Sequence, residues 1–144
     1  MYKRILVPTD GSELSTQAVT TATALAKLTG AHAVALSVKE PFPYSAISEM
    51  QPVPPQTFYD SQERITRERV DAAIDLARRE GVAMEGVTVE ALHPWEAILD
   101  VAKTRDCDVI VMASHGRRGL GALLLGSETQ KVLTHGTVPV LVVR

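Results

Sequence analysis

The sequence contains one cysteine, few aromatic residues and no long hydrophobic run. A single cysteine, Cys107, excludes a disulfide within the chain and a cysteine-based zinc site, and it is consistent with a reducing cytoplasm. We predict that Cys107 is a small buried apolar group at the start of a strand. No apolar run approaches the ~20 residues that span a bilayer, and the N-terminus leads straight into a strand pattern, so neither membrane insertion nor export is expected.

An excess of basic residues is also missing. The formal net charge is −2, the pI is about 6.1, and acidic and basic residues are interspersed along the chain. Such a chain has no global positive field of the kind that dominates nucleic-acid binding, so no nucleic-acid partner is expected. The length of 144 residues suits one domain covering 1–144, with enough chain to bury a substantial core.

Strand and helix patterns alternate along the chain. Strands are predicted at 4–7, 31–38, around 87–89, at 109–112 and at 138–143. Helical spacing of apolar residues follows residue 12 as far as Gly30, continues over about 58–80, resumes at Pro94 and covers 127–135. This order predicts an α/β fold, a single-domain open five-stranded parallel sheet with helices on both faces. Five of the eight prolines lie in 41–56, which we interpret as a long surface excursion.

Residues 109–129 pass from a strand through a glycine-bearing loop into a helix. Such a connection collects unpaired backbone N–H groups, which suit a phosphate, although an ordinary surface loop has the same outline. Ligands of parallel sheets bind beyond the carboxyl ends of the strands, where the strand order reverses. If the first and fourth strands are neighbours, the loops 8–12 and 113–126 face each other across one crevice.

Two familiar phosphate-binding motifs resemble parts of this loop, but the residues at key positions exclude both. The glycine spacing in 121–127 matches a P-loop, but Ser127 stands where the motif needs lysine. Gly119 and Gly121 begin like a dinucleotide fingerprint, but Leu124 stands at the third glycine position, and the pair lies well beyond the end of the strand.

A different spacing fits, with Ala113, Gly116, Gly126 and Ser127 in the pattern x-x2-G-x9-G-S. On this pattern, and on the segments ILVPTDGS, DVIVMASHGRRGLGALLLGSETQKVL and VPVLVVR, the chain resembles the universal stress protein family over nearly its whole length. The resemblance implies a Rossmann-like fold of the adenine nucleotide α-hydrolase type. It also implies ATP binding in the subset with a G-x2-G-x9-G-S/T signature, from which this chain departs at Ala113.

The resemblance also implies roles for individual residues. Asp10 would contact the ribose hydroxyls, Pro8, Thr9 and the backbone of Val38 would surround the adenine, and backbone groups of the loop and helix would hold the phosphates. The full candidate set is Pro8, Thr9, Asp10, Val38, Met112, Ala113, His115, Gly116, Arg117, Gly126, Ser127, Glu128 and Thr129. AMP or ADP could replace ATP, and Mg²⁺ or Mn²⁺ would arrive bound to the phosphate oxygens.

The chemistry of several residues in and beside this set adds conditions to these roles. Ala113 keeps its backbone N–H donor and is compatible with a phosphate site if its φ is negative. Glu128 would repel a phosphate unless its side chain points outwards, which we expect. Arg117 and Arg118 can neutralise phosphate charge from the loop. The side chains of Ser114 and His115 are expected to diverge, so a nucleophile and base pair is not predicted.

The prediction is therefore an ATP-binding stress or signalling protein in the cytoplasm, with at most slow hydrolysis, because no convincing catalytic base can be named. The resemblance also implies a homodimer formed through the apolar C-terminal strand. One alternative is a dimeric interaction module of the same fold without nucleotide binding. Another is a small ATP- or AMP-consuming hydrolase.

Overall fold

The computed structural model describes residues 1–43, 55–117 and 124–144. Within these residues five strands alternate with four helices. The strands are β1 (Arg4–Pro8), β2 (His32–Lys39), β3 (Met84–Glu90), β4 (Val109–Ala113) and β5 (Val140–Val143). The helices are α1 (Glu13–Thr29), α2 (Gln56–Arg79), α3 (Pro94–Thr104) and α4 (Ser127–His135).

The strands form one parallel sheet in the order β3-β2-β1-β4-β5, which confirms the predicted fold class. Strand β1 pairs with β2 on one side and with β4 on the other, where Ile5 lies opposite Val109 and Leu6 opposite Ile110. The chain moves outward in one direction from β1 to β3 and in the other from β4 to β5. The order therefore reverses between β1 and β4, and the carboxyl ends of these strands form the crevice that such sheets use for ligands.

Helices cover both faces of the sheet, and this explains why the central strands are apolar at successive positions. All five residues of β4 are buried. One core cluster joins Ile5, Val7 and the alanines of β2 to α1 and α2, and a second joins Leu6, Val34 and Ile110 to α3 and α4. Cys107 is 6% exposed and belongs to the second cluster, as predicted. Burial raises the pKa of its thiol.

Helix α1 has the local signals that define both of its ends. The Ser12 hydroxyl accepts a hydrogen bond from the backbone N–H of Ser15 at 3.2 Å and caps the first turn. Gly30 ends the helix in the left-handed region with a φ of 75°, which glycine adopts without steric cost. On the surface of α2, Arg64 and Glu68 form an ion pair at 3.4 Å.

Several predicted boundaries are wrong by one to three residues. Strand β5 begins at Val140 rather than at residue 138, with Pro139, which has no N–H to donate, just before it. Helix α2 begins at Gln56, which was assigned to the excursion, because Pro55 has the extended conformation of an N-cap. Strand β3 is longer than predicted and covers Met84–Glu90. Of the proline-rich excursion, residues 44–54 lie outside the described residues.

The close packing of α2 on β3 generates a stability prediction at Gly86. A Cβ at this position would lie 3.0 Å from Ile74 Cδ1 and 3.1 Å from Val70 Cβ. Gly86→Ala should therefore lower the free energy of unfolding by about 1–2 kcal/mol, measured by urea denaturation. Ile74→Val removes the nearest atom, so the double variant should lose less than the sum of the single losses. Strict additivity would contradict this packing.

Candidate functional site

The loops that follow β1 and β4 are in direct contact. The backbone N–H of Arg117 donates to Asp10 Oδ2 at 2.8 Å, and the Arg117 guanidinium donates to the Asp10 carbonyl oxygen at 3.4 Å. The expected meeting of these loops across the crevice is therefore confirmed. It follows from the pairing of β1 with β4, which places the two strand ends side by side.

Asp10 is the central acceptor of this crevice. Its Oδ1 atom accepts the backbone N–H of Ser12 at 3.0 Å. Burial by itself would raise the pKa of Asp10, but hydrogen bonds from Ser12 and from the Arg117 backbone outweigh burial and hold the pKa below its usual value. The carboxylate is therefore ionised at neutral pH and can only accept hydrogen bonds.

Gly116 permits the loop to approach Asp10. A Cβ on Gly116 would lie 2.6 Å from Asp10 Oδ2, so any side chain would separate the loop from the carboxylate. Gly126 has a similar role at the other end of the loop, where its N–H donates to the Ser114 carbonyl at 2.7 Å. A Cβ on Gly126 would lie 3.1 Å from His115 Cα. Both glycines of the sequence pattern are thus positions of close backbone approach.

The two helices that begin at the crevice differ in their N-termini. Helix α1 is capped by Ser12, whereas α4 follows Gly126 and has no side-chain cap from the described residues. An uncapped helix start presents backbone N–H groups and the positive end of the helix dipole, an arrangement that accepts an anion. The donors of Ser127, Glu128 and Thr129 belong to this first turn. The chemistry of this end of α4 therefore fits a phosphate group.

Ala113 causes no backbone strain. It is the last residue of β4 and pairs with Val143, and Asp106 has the one positive φ among the described residues that are not glycine. The hydroxyl of Thr129 donates to the Ala113 carbonyl at 2.9 Å and ties α4 to the end of the strand. The condition that the sequence set for Ala113, a negative φ, is therefore met.

The carboxylate of Glu128 turns towards α3. Its Oε2 atom accepts the backbone N–H of Trp95 at 2.8 Å, which satisfies a donor in the first turn of α3. His93, the N-cap residue of α3, makes no side-chain cap of its own. A negative charge at this position is favourable to α3. The charge of Glu128 is thus engaged by the start of a neighbouring helix.

The expected divergence of Ser114 and His115 is wrong. Ser114 Oγ lies 3.3 Å from His115 Nδ1, because the chain bends directly after β4 and no longer alternates its side chains as a strand does. In the described part of the chain, however, no carboxylate hydrogen-bonds to His115 to orient it. Ser114 is 6% exposed. The pair thus lacks the third group and the accessible nucleophile of a serine hydrolase.

The remaining predicted residues divide between the two faces of the sheet. Val38 and Met112 belong to the apolar cluster on the α3 and α4 side, and strand alternation places Pro8 on the same side as Leu6. Thr9 faces α1 instead, and its hydroxyl lies 3.2 Å from the hydroxyl of Ser15. Arg118 lies outside the described residues, as do the rejected glycine positions 119 and 121.

Arg69 reaches the crevice and was missed by the sequence reasoning. Its side chain leaves α2 and passes over Gly11, with Cγ and Nε each 3.3 Å from the position that a Cβ would take. Burial lowers the pKa of Arg69 and the nearby Arg117 lowers it further, while Asp10 and Glu40 act in the opposite direction. The one sequence signal is its place next to Val70, at the border of the apolar stripe of α2.

Two features are absent from the part of the chain that the structure describes. No helix there combines the length and the apolar character that crossing a bilayer requires. No group of three or more His, Cys, Asp or Glu side chains is arranged there to hold a metal ion.

Comparison with known proteins agrees with this geometry. The universal stress protein family model matches residues 1–144. A universal stress protein of Thermus aquaticus, encoded in the QAH/OAS sulfhydrylase 3' region, is 35% identical, with 100% of both chains covered. The structure of MJ0577 from Methanocaldococcus jannaschii aligns with a TM-score of 0.78 at 29% identity, covering 99% of this chain and 96% of that one.

A universal stress protein solved in complex with cAMP aligns with a TM-score of 0.70 at 27% identity, covering 99% of this chain and 97% of that one. The family model and the relatives thus extend over the whole length, including both loops of the crevice. The chain belongs to the universal stress protein family.

Proposed function

We propose that this protein binds ATP in the crevice between β1 and β4 and acts as a stress-response or signalling module. The proposal rests on two groups that meet where the strand order reverses, one suited to ribose hydroxyls and the other to a phosphate. These are the ionised Asp10 carboxylate and the uncapped N-terminus of α4. The complex of a related universal stress protein with cAMP supports an adenine nucleotide as the class of ligand.

The chemistry of each group suits one part of the nucleotide. Asp10 accepts hydrogen bonds and can take them from ribose hydroxyls, while the first turn of α4 donates to phosphate oxygens. We place the adenine beside the apolar cluster that contains Val38 and the buried Met112. Mg²⁺ or Mn²⁺ would be held mainly by the phosphate oxygens. AMP or ADP would use the same groups with fewer phosphate contacts.

Occupancy of this crevice is linked to the conformation of the loop after β4. The ribose hydroxyls and the backbone N–H of Arg117 compete for the same carboxylate, and Gly116 packs directly against it. Nucleotide binding should therefore shift the position of Gly116 and Arg117. A surface loop that moves with occupancy is a means of changing partner choice, and this is the signalling step that we assign to the protein.

The proposal includes a homodimer formed through β5. In the described residues β5 pairs with β4 on one side, and no strand covers its other edge. Leu141 is 43% exposed on this strand, whose sequence is VLVV. An apolar edge strand of this kind invites pairing with a second copy.

Nucleotide binding is tested first by mass analysis of the small molecules released when the purified protein is denatured, and by thermal shift with ATP and Mg²⁺. Asp10→Asn should weaken ATP binding about tenfold, because it removes the charge that strengthens the hydrogen bonds to ribose. Asp100→Asn on the exposed surface of α3 is the matched control and should leave affinity unchanged. If the unmodified protein releases no nucleotide and shows no thermal shift, ATP binding is refuted.

Gly126 provides a graded test of the phosphate end. Gly126→Ala should weaken ATP binding, and Gly126→Val should abolish it with the fold intact, because their side chains press on the backbone of His115. Thr134→Ala, at an exposed position near the other end of α4, is the control. Affinity is measured by isothermal titration and folding by circular dichroism. Wild-type affinity in Gly126→Val would remove this glycine from the site.

The dimer is tested by sedimentation. Leu141→Lys should give monomers, because it places a charge on the edge that two copies would share. Leu28→Lys changes a leucine that is 86% exposed at the end of α1 and should leave the dimer intact. Deletion of residues 138–144 should impair folding as well, since Val138 and Val140 pack against the core. A monomeric wild type would contradict the dimer.

A further inference from the structure

A cavity of about 330 Å³ lies between α1 and α2, under the loop that joins β1 to α1. We call it the α1–α2 cavity, and it is lined chiefly by Val19, Ile65, Arg69, Ala73, Leu76 and Arg117. It is on the face of the sheet that carries α1 and α2, whereas Val38 and Met112 belong to the opposite face. Its wall therefore lies on the other face of the sheet from Val38 and Met112, while its mouth shares Thr9 and Arg117 with the candidate nucleotide set.

The inner wall of the α1–α2 cavity is apolar. Val19 and Ala73 are 2% and 4% exposed and form part of the α1 and α2 core, and Leu76 packs against the same cluster. Ile65 adds a further aliphatic side chain from α2. The volume is within the range of small-molecule pockets, in which an apolar lining accompanies a few polar groups.

The mouth of the cavity carries two guanidinium groups. Arg69 and Arg117 are near enough for each to oppose the charge of the other, which contributes to the lowered pKa of Arg69. The third charged lining residue, Glu68, pairs with Arg64 at 3.4 Å on the outer surface of α2. The Asp10 carboxylate accepts backbone N–H groups and is not part of the lining. Two guanidinium groups thus line the mouth, and a carboxylate placed between them would pair with both, in competition with the nearby Asp10 and Glu40.

The two hydroxyl groups of the lining are already engaged. Thr16 Oγ1 donates to the Ser12 carbonyl at 3.0 Å, and Thr9 Oγ1 interacts with Ser15 and with the backbone N–H of Gly11. The cavity therefore offers little hydrogen bonding for a sugar or a purine. Its recognition chemistry consists of an aliphatic wall and two guanidinium groups at the mouth.

We propose that the α1–α2 cavity binds a small amphipathic organic anion, with a carboxylate between Arg69 and Arg117 and an aliphatic chain against Val19, Ile65 and Leu76. A guanidinium is well suited to this head group because its parallel N–H donors match the two oxygens of a carboxylate. The aliphatic chain gains free energy by leaving water for the apolar wall. The site shares Arg117 with the loop that nucleotide binding is expected to shift, so it is tested on the nucleotide-free protein.

Octanoate is the probe, and 1-octanol is its uncharged counterpart. Titration of the nucleotide-free protein, followed by methyl NMR, should show saturable octanoate binding with shifts at Val19, Ile65 and Leu76. Octanol should bind about tenfold more weakly, because it cannot form the charge-assisted hydrogen bonds. No octanoate binding, equal affinity for both probes, or shifts confined to other methyl groups would overturn the proposal.

Variants separate the charged mouth from the apolar wall. Arg69→Gln should weaken octanoate binding about tenfold without changing octanol binding, while Arg69→Lys should retain most of the preference for the anion. Ala72→Phe, at an exposed lining position, should fill the cavity and abolish binding of both probes. Arg79→Gln, on the exposed end of α2, is the charge control. Unchanged octanoate affinity in folded Arg69→Gln or in folded Ala72→Phe would overturn the proposal.

Discussion

The parallel pairing of β1 with β4 is the constraint on which the rest of the structure depends. It reverses the strand order and sets the loop after β1 beside the loop after β4, more than a hundred residues later in the chain. The opposite end of the same pair is fastened by Asp108, whose carboxylate accepts the backbone N–H groups of Lys3 and Arg4 at 2.9 and 3.1 Å. The register of β1 against β4, set at this end, therefore fixes how the two loops meet in the crevice at the carboxyl ends.

Three carboxylates accept hydrogen bonds from backbone N–H groups instead of pairing with basic side chains. Asp10 holds the loop after β4, Glu128 caps α3, and Asp108 holds the start of β1. In each case the acceptor satisfies a donor that would otherwise lack a partner at a helix or strand end. Asp10 also lies near Arg69, where its charge and that of Glu40 favour the protonated guanidinium.

The sequence was most informative where a local signal has a single structural meaning. Ser12 and Gly30 marked the ends of α1, and the apolar run of β4 marked a strand buried on both faces. Two of the three wrong boundaries lie beside a proline. Pro55 starts α2 and Pro139 delays β5, and the apolar pattern signals neither effect, while β3 is longer than its weak pattern predicted. The divergence expected of Ser114 and His115 failed because strand alternation was extended one residue past the point where the chain bends.

By itself the sequence determined the alternating architecture, the two close-approach glycines Gly116 and Gly126, and the membership in a family, since periodicity and motif spacing are local properties of the chain. Only the tertiary structure decided the backbone angle of Ala113, the turn of Glu128 towards Trp95 and the reach of Arg69 over Gly11. Each of these depends on which distant element lies alongside, and the packing of helices on the sheet makes that choice.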